Sequence, residues 1–294
     1  MINLDKLNRM KFLKLFPRLL LLTLASLSML TSCNQRVKKL KSPPRYNFSE
    51  VFTHKLDLKL KEISGIVWSK ERGEFIAHND ESGKLFFLDK ETKFIKAEFP
   101  FAGKGDYEDI AIAKGVIYVL KSNGTITKII QDSSGKMKSV EAGKIGLSGI
   151  NDFESMYFDD IRNALIIICK NCAMDDKSTV SAFAFYPDST GFDETPVFKI
   201  NADEVRSLAP QKSSKLQPSA AAIHPVLNKL FIISSPSNQL IMADRDGNPE
   251  SVFHLSKKLF PQPEGITFKN NGDMYISNEG VTSKGTLLKF IYKL

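Results

Sequence analysis

From residue 46 to the end of the chain, apolar and polar positions alternate in short runs separated by Gly, Asn, Asp and Ser. That period, with its aromatic and β-branched enrichment, predicts short antiparallel strands. The runs repeat. "EISGIVWS" from Glu62, "DYEDIAIA" from Asp106, "DFESMYFD" from Asp152, "QPSAAAIHP" from Gln217 and "QPEGITFK" from Gln262 each open a unit. A more apolar strand follows each: "EFIAHND", "VIYVLKS", "ALIIICK", "KLFIISS" and "DMYISNE". Third strands are clear in every unit; fourth strands, such as "KFIKAEF" and "PVFKINA", are weaker.

Equivalent positions fall at Ser64, Glu108, Glu154, Ser219 and Glu264, with gaps of 44, 46, 65 and 45 residues. One four-stranded propeller blade needs about 40–50 residues. The long gap belongs to the third unit, which carries the inserts "NCAMDDKST" and "PDSTGFDET". The last unit ends after three strands, while an unpaired strand, "YNFSEVFTHKLDL" (46–58), precedes the first. A ring must close, and an open blade edge invites aggregation. The expected fold is therefore all-β: a five-bladed β-propeller over 46–294, closed by the N-terminal strand completing the last blade. Strand spacing alone also allows a sandwich, but a sandwich does not predict repeated phrases.

The blade openings with glutamate, "SGI" in the first unit, "PEGITF" in the last, "HND" after a second strand and "SNEG" near the end resemble the SdiA-regulated domain family, distant relatives of NHL-repeat proteins. The resemblance covers roughly residues 46–294. It implies a five-bladed propeller with a calcium ion at a shared site.

Glu154 sits among Phe153, Met156, Tyr157 and Phe158, which belong in a core. A buried carboxylate needs a partner or loses its charge. Glu108, Glu154 and Glu264 share one strand phase, and the first strands of a propeller line its channel. Three converging carboxylates raise one another's pKa unless a cation intervenes. Oxygen-only ligands select calcium, and the ring contains no His or Cys for zinc or copper. Ser64, Ser219, Asn79, Asp80 and Asn278 are candidates for the surrounding oxygens. The alternative is that the glutamates brace neighbouring blades through hydrogen bonds, with Asn79, Asp80 and Asn278 making turns. Asp109 points the other way along its strand and is expected at a blade interface. His78, beside "ND", is expected as a surface or turn residue, and Trp68 as core.

Composition adds location and excludes one class. The 294 residues are 42% hydrophobic, enough for one large all-β domain or two average ones. Residues 1–32 hold a basic opening (Lys11, Lys14, Arg18) and a short apolar stretch that runs into "LTSC" at 30–33. That is the form of a secretory signal, and the last four residues resemble a bacterial lipobox. The resemblance implies cleavage before Cys33 and its lipidation; an ordinary signal peptide is the alternative. Residues 33–45 form a basic tether with five cationic side chains and no acid. From Tyr46 onward there are 31 basic and 32 acidic residues, so the excess positive charge of the chain lies before the propeller. Composition gives no support for nucleic-acid binding. Cys169 and Cys172, behind a signal peptide, are expected to form a local disulfide, with free thiols the alternative.

No G-x-S-x-G or phosphate-loop motif occurs. The reading is a non-catalytic binding or interaction module for an unidentified small molecule or protein, held by its lipid at the outer membrane and facing the periplasm. The alternative is a calcium-dependent hydrolase of lactonase or esterase type, with Glu264 or Asp80 as base.

Overall fold

The computed structural model describes residues 41–91, 93–189, 191–209 and 215–294. The leader, Cys33 and most of the tether lie outside the described residues. Among the described residues no helix is long and apolar enough to cross a membrane.

Five antiparallel sheets succeed one another along the chain. The first blade comprises Ile63–Ser69, Glu74–Asn79, Lys84–Leu88 and Ile95–Pro100. The second comprises Tyr107–Ala113, Val116–Lys121, Thr125–Gln131 and Met137–Lys144. In the third, Asn151–Asp159, Ala164–Cys172 and Thr179–Tyr186 are followed by a broken fourth strand. Its pieces, Gly191–Phe192 and Phe198–Asn201, both pair with Thr179–Tyr186. Ala220–Ile223, Leu230–Ser234, Gln239–Ala243 and Pro249–His254 make the fourth blade. Pro263–Phe268, Met274–Asn278 and Thr286–Phe290 begin the fifth, and Val51–Lys55 completes it. The first strands contact one another in order, and that of the fifth blade contacts that of the first. The molecule is a five-bladed β-propeller closed by its N-terminal strand.

Second strands are apolar throughout because both faces are buried. In "ALIIIC", Ala164, Ile166 and Ile168 pack toward the fourth blade, and Leu165, Ile167 and Cys169 toward the second. Each of the five seams has its own apolar cluster. Polar struts add to them. Asp109 is buried at the second seam, where its carboxylate accepts hydrogen bonds from its neighbour Ile110 N and from Met156 N of the next blade, both 2.8 Å.

Two features depart from the sequence expectations. A short helix, Ala202–Leu208, follows the third blade, with the Asn201 side chain accepting from Asp203 N and Glu204 N. His78 is fully buried, not a surface or turn residue. Burial pushes its pKa down to about 4, so it is neutral at physiological pH.

Candidate functional site

A cavity of about 470 Å³ opens where the first strands begin, and side chains from all five blades line it. The repeated position reaches it through backbone irregularity. Cross-strand pairing in the first strands slips between Tyr107 and Asp109, between Phe153 and Ser155, and between Pro263 and Gly265. Each bulge leaves one glutamate, Glu108, Glu154 or Glu264, out of the pairing. The first blade slips in the same way between Ile63 and Ile66, leaving out Ser64 and Gly65. A β-bulge re-aims a side chain that regular pleating would direct elsewhere. That is why an acid can sit inside so apolar a strand.

The cavity brings Glu108, Glu154 and Glu264 together with Ser64 and Asp80. Asp106, Glu279, Lys170 and Lys257 join them. The four additions escaped the repeat-based reading because they lie off the repeated position. Asp106 and Glu279 stand on flanking segments, and Lys170 lies on a second strand.

Lys170 supplies a partner for Glu154. Its ammonium donates to the Glu154 carboxylate and lies 3.9 Å from Asp152. Glu154 is thus ion-paired within the protein.

The other acids have less compensation. Burial, then Asp106 and Asp152, push Glu108 up to about 8 against the pull of Lys170. Glu264 rises to about 7 through burial, opposed by hydrogen bonds from Ser235, Ser219 and Gln262 and by the charge of Lys170. Glu279 also rises to about 7, first through burial and then through Glu264, Asp80 and Glu62. Asp80 is raised by burial and by Glu62 and Glu81. All four carboxyls are held above their ordinary range, burial being the first cause in each, because negative charge accumulates where water is scarce.

Of the remaining candidates Ser64 lines the cavity and Ser219 does not. Ser64 Oγ donates to Glu108 O (2.7 Å) and Ser219 Oγ to Pro263 O (3.1 Å), so both serines tie their blade to the next. Asn79 and Asn278 do not line the cavity. Asn79 closes a turn, its Oδ1 accepting from Ser82 N and its Nδ2 donating to Lys59 O. Asn278 Nδ2 donates to Thr286 Oγ1, while its buried Oδ1 has no hydrogen-bond partner. Asp80 Oδ1 is orphaned in the same way.

Three ligand-type side chains, Cys169, Cys172 and Asp175, bring their donor atoms within 4.8 Å of one another. They are not a metal site. The two cysteines are joined as a disulfide, with Cα atoms 5.8 Å apart, and Asp175 accepts from the Ser181 hydroxyl and amide. The disulfide brackets Lys170 and Asn171, and Asn171 Oδ1 accepts from Lys215 and Gln217 across the seam. Both thiols should resist alkylation in the native protein until a reductant is added. Intact-mass labelling that finds them free without reductant would remove the disulfide. A cross-link closing so short a loop contributes about 2 kcal/mol, so reduction should loosen this corner without unfolding the ring.

Comparisons with known proteins agree with the architecture. The chain is similar in fold to Myxococcus xanthus glutaminyl cyclase, at 12% identity and a TM-score of 0.57, covering 82% of this chain and 94% of that one. A Bacteroides thetaiotaomicron protein of unknown function gives 13% and 0.52, over 78% of this chain and 60% of that one. A luciferin-regenerating enzyme gives 9% and 0.50, over 82% and 95%. At these identities the likeness is one of fold alone. No curated protein matches the chain. The SdiA-regulated family pattern matches residues 44–281, from the segment before the closing strand to the loop after Glu279. By that match, over most of its length, the chain belongs to the SdiA-regulated family.

Proposed function

We propose that this propeller is a binding module that holds a hard divalent cation, calcium, in its axial cavity and uses that end to engage a ligand. One observation carries the reading: six carboxylates, those of Asp80, Asp106, Glu108, Glu154, Glu264 and Glu279, share one cavity with two lysines. The donor set fits the ion, being all oxygen, with the orphaned Asp80 Oδ1 among it. Asp80, Glu264, Glu279 and Glu108 are the residues that would hold the ion. Glu154, engaged by Lys170, would orient that lysine instead. When bound, the cation neutralises the cavity and presents a Lewis-acidic centre to a ligand oxygen. Elemental analysis of the purified protein, with calorimetric titration after chelation, tests the proposal. Protein that carries no calcium and takes none up would end it.

A second reading, calcium-dependent hydrolysis, draws on Glu264, whose value of about 7 suits a general base. It requires turnover of a lactone or ester that Glu264→Gln abolishes at calcium concentrations high enough to keep the variant loaded.

The leader supports placement at the cell envelope, with Cys33 lipidated and the propeller facing the periplasm from the outer membrane. Cys33→Ala should release the protein from membranes or leave its signal uncleaved. A variant anchored and processed like wild type would refute the lipid anchor. The near balance of charge from Tyr46 onward supports a small-molecule or protein ligand over a nucleic acid.

A further inference from the structure

Opposite the acidic cavity, at the seam between the first and last blades, three lysines share a floor of aromatic rings. Lys93 Nζ lies 5.3 Å from the centre of the Phe75 ring, and Lys269 Nζ lies 5.5 Å from the same centre. Lys269 also stands 4.5 Å over Trp68 and 5.6 Å over Tyr275, and Lys289 lies 6.0 Å from the Tyr275 centre. Cation–π attraction holds each ammonium to a ring but does nothing for the repulsion between them.

Their acids are few. Lys289 pairs with Asp273 at 3.1 Å, while among the described residues neither Lys93 nor Lys269 makes an ion pair. Lys93 is only 5% exposed, and its ammonium donates to the carbonyls of Lys90 and Glu91. Glu91 and Asp89 offset part of the charge from a distance. Burial first, and then Lys269, lower Lys93 to about 8; burial, then Lys93 and Lys289, depress His54; at Lys269 burial and Lys289 act against Glu91 and Asp273.

Backbone geometry does not favour a lysine at 93, whose only local return is the hold of its ammonium on the loop's own carbonyls. Its φ of 62° is the left-handed region, where glycine or asparagine would sit at lower cost. A lysine placed there under strain, nearly buried and facing a second lysine, is arranged for something negative.

We propose that Lys93, Lys269 and Lys289 form a binding site for a phosphate-type oxyanion. Such a group offers several acceptor oxygens, so it can accept from more than one ammonium at once, and lysine binds it as a point charge. The phosphate has two possible sources, a soluble oxyanion or a phospholipid headgroup. Two exposed aromatics stand beside the site: Phe94 follows Lys93, and Phe52 pairs with Lys289 across the closing strand. They would suit the headgroup.

The test uses the full-length protein in zwitterionic detergent, with acetylation of each lysine followed by mass spectrometry. Inorganic phosphate should slow acetylation at Lys93 and Lys269 and raise the melting temperature, where chloride at equal ionic strength does neither. Lys269→Met keeps the stem over the rings and removes the charge. It should raise the melting temperature in phosphate-free buffer and weaken phosphate binding by about tenfold, one charge-assisted contact. Protection in phosphatidylglycerol vesicles but not phosphatidylcholine vesicles, competed away by free phosphate, would assign the headgroup. Protection by free phosphate alone would assign a soluble oxyanion. Equal effects of phosphate and chloride, with no protection in either vesicle, would overturn the site, as would a phosphate response unchanged in Lys269→Met. The outcome is independent of calcium at the opposite end.

Discussion

Deletion of residues 46–58 is expected to abolish folding. Val51–Lys55 pairs along its whole length with Thr286–Phe290, so its loss bares the hydrogen-bonding edge of the fifth blade. The flanking residues matter as much as the strand. Phe48 is 1% exposed and packs against Phe260 and Phe290; Leu56 is 1% exposed in the seam between the fifth and first blades. Tyr46 is buried with its hydroxyl donating to Gly272 O. Burying such a side chain contributes about 1.5–3 kcal/mol, an upper estimate because the unfolded chain is not fully extended. Three of them approach the roughly 5–15 kcal/mol by which a domain is stable. Phe48→Ala alone should cost about 3–5 kcal/mol in a denaturant titration. A soluble deletion variant that melts where the intact protein does would show that the ring closes by other means.

This closure was legible because it follows from counting. Five repeated phrases, a last unit one strand short and a spare strand upstream leave one economical arrangement. The cavity was less legible, and for a physical reason. A repeat marks equivalent positions, so it found Glu108, Glu154 and Glu264, but it is blind to whatever the blades do differently. Lys170 lies near the end of an otherwise apolar second strand, and only folding brings it to Glu154. Ser64 and Ser219 hold the ring position, yet their hydroxyls reach the neighbouring backbone, since a short side chain cannot extend to the axis as a glutamate does. The bulges are invisible in composition. The helix at Ala202–Leu208 did have a signal, "NADE", an asparagine cap followed by two acids, overlapping the end of a stretch read as a fourth strand.

In calcium-free protein, stability is expected to fall as pH rises from about 5 to 8, and calcium is expected to reverse that trend. The sign follows from the raised carboxyls. Glu108 and Glu264 have folded values of about 8 and 7, against an ordinary value of 4.5. As pH rises above the ordinary value, the unfolded chain loses these protons while the folded protein keeps them. Stability present at acid pH is therefore lost progressively until pH passes the folded values. Each tenfold displacement of a proton equilibrium is about 1.4 kcal/mol, so these two groups together account for several kcal/mol, as an order of magnitude. Glu279, more open to solvent, adds less for its similar value. Calcium needs the ionised forms, so binding expels the protons and strengthens toward pH 8. At a hundredfold excess over Kd it should stabilise the fold by about 2.7 kcal/mol. Glu264→Gln separates this account from one in which the glutamates only brace the blades. The amide cannot ionise, so the variant should match wild type near pH 5, exceed it at pH 8 without calcium, and respond more weakly to added calcium. Melting curves of both proteins at several pH values, with and without the ion, give every term. If wild type shows no loss of stability toward pH 8 and no response to calcium or chelator, the acids are satisfied by the protein itself. The cavity then holds no cation, and the glutamates act as struts.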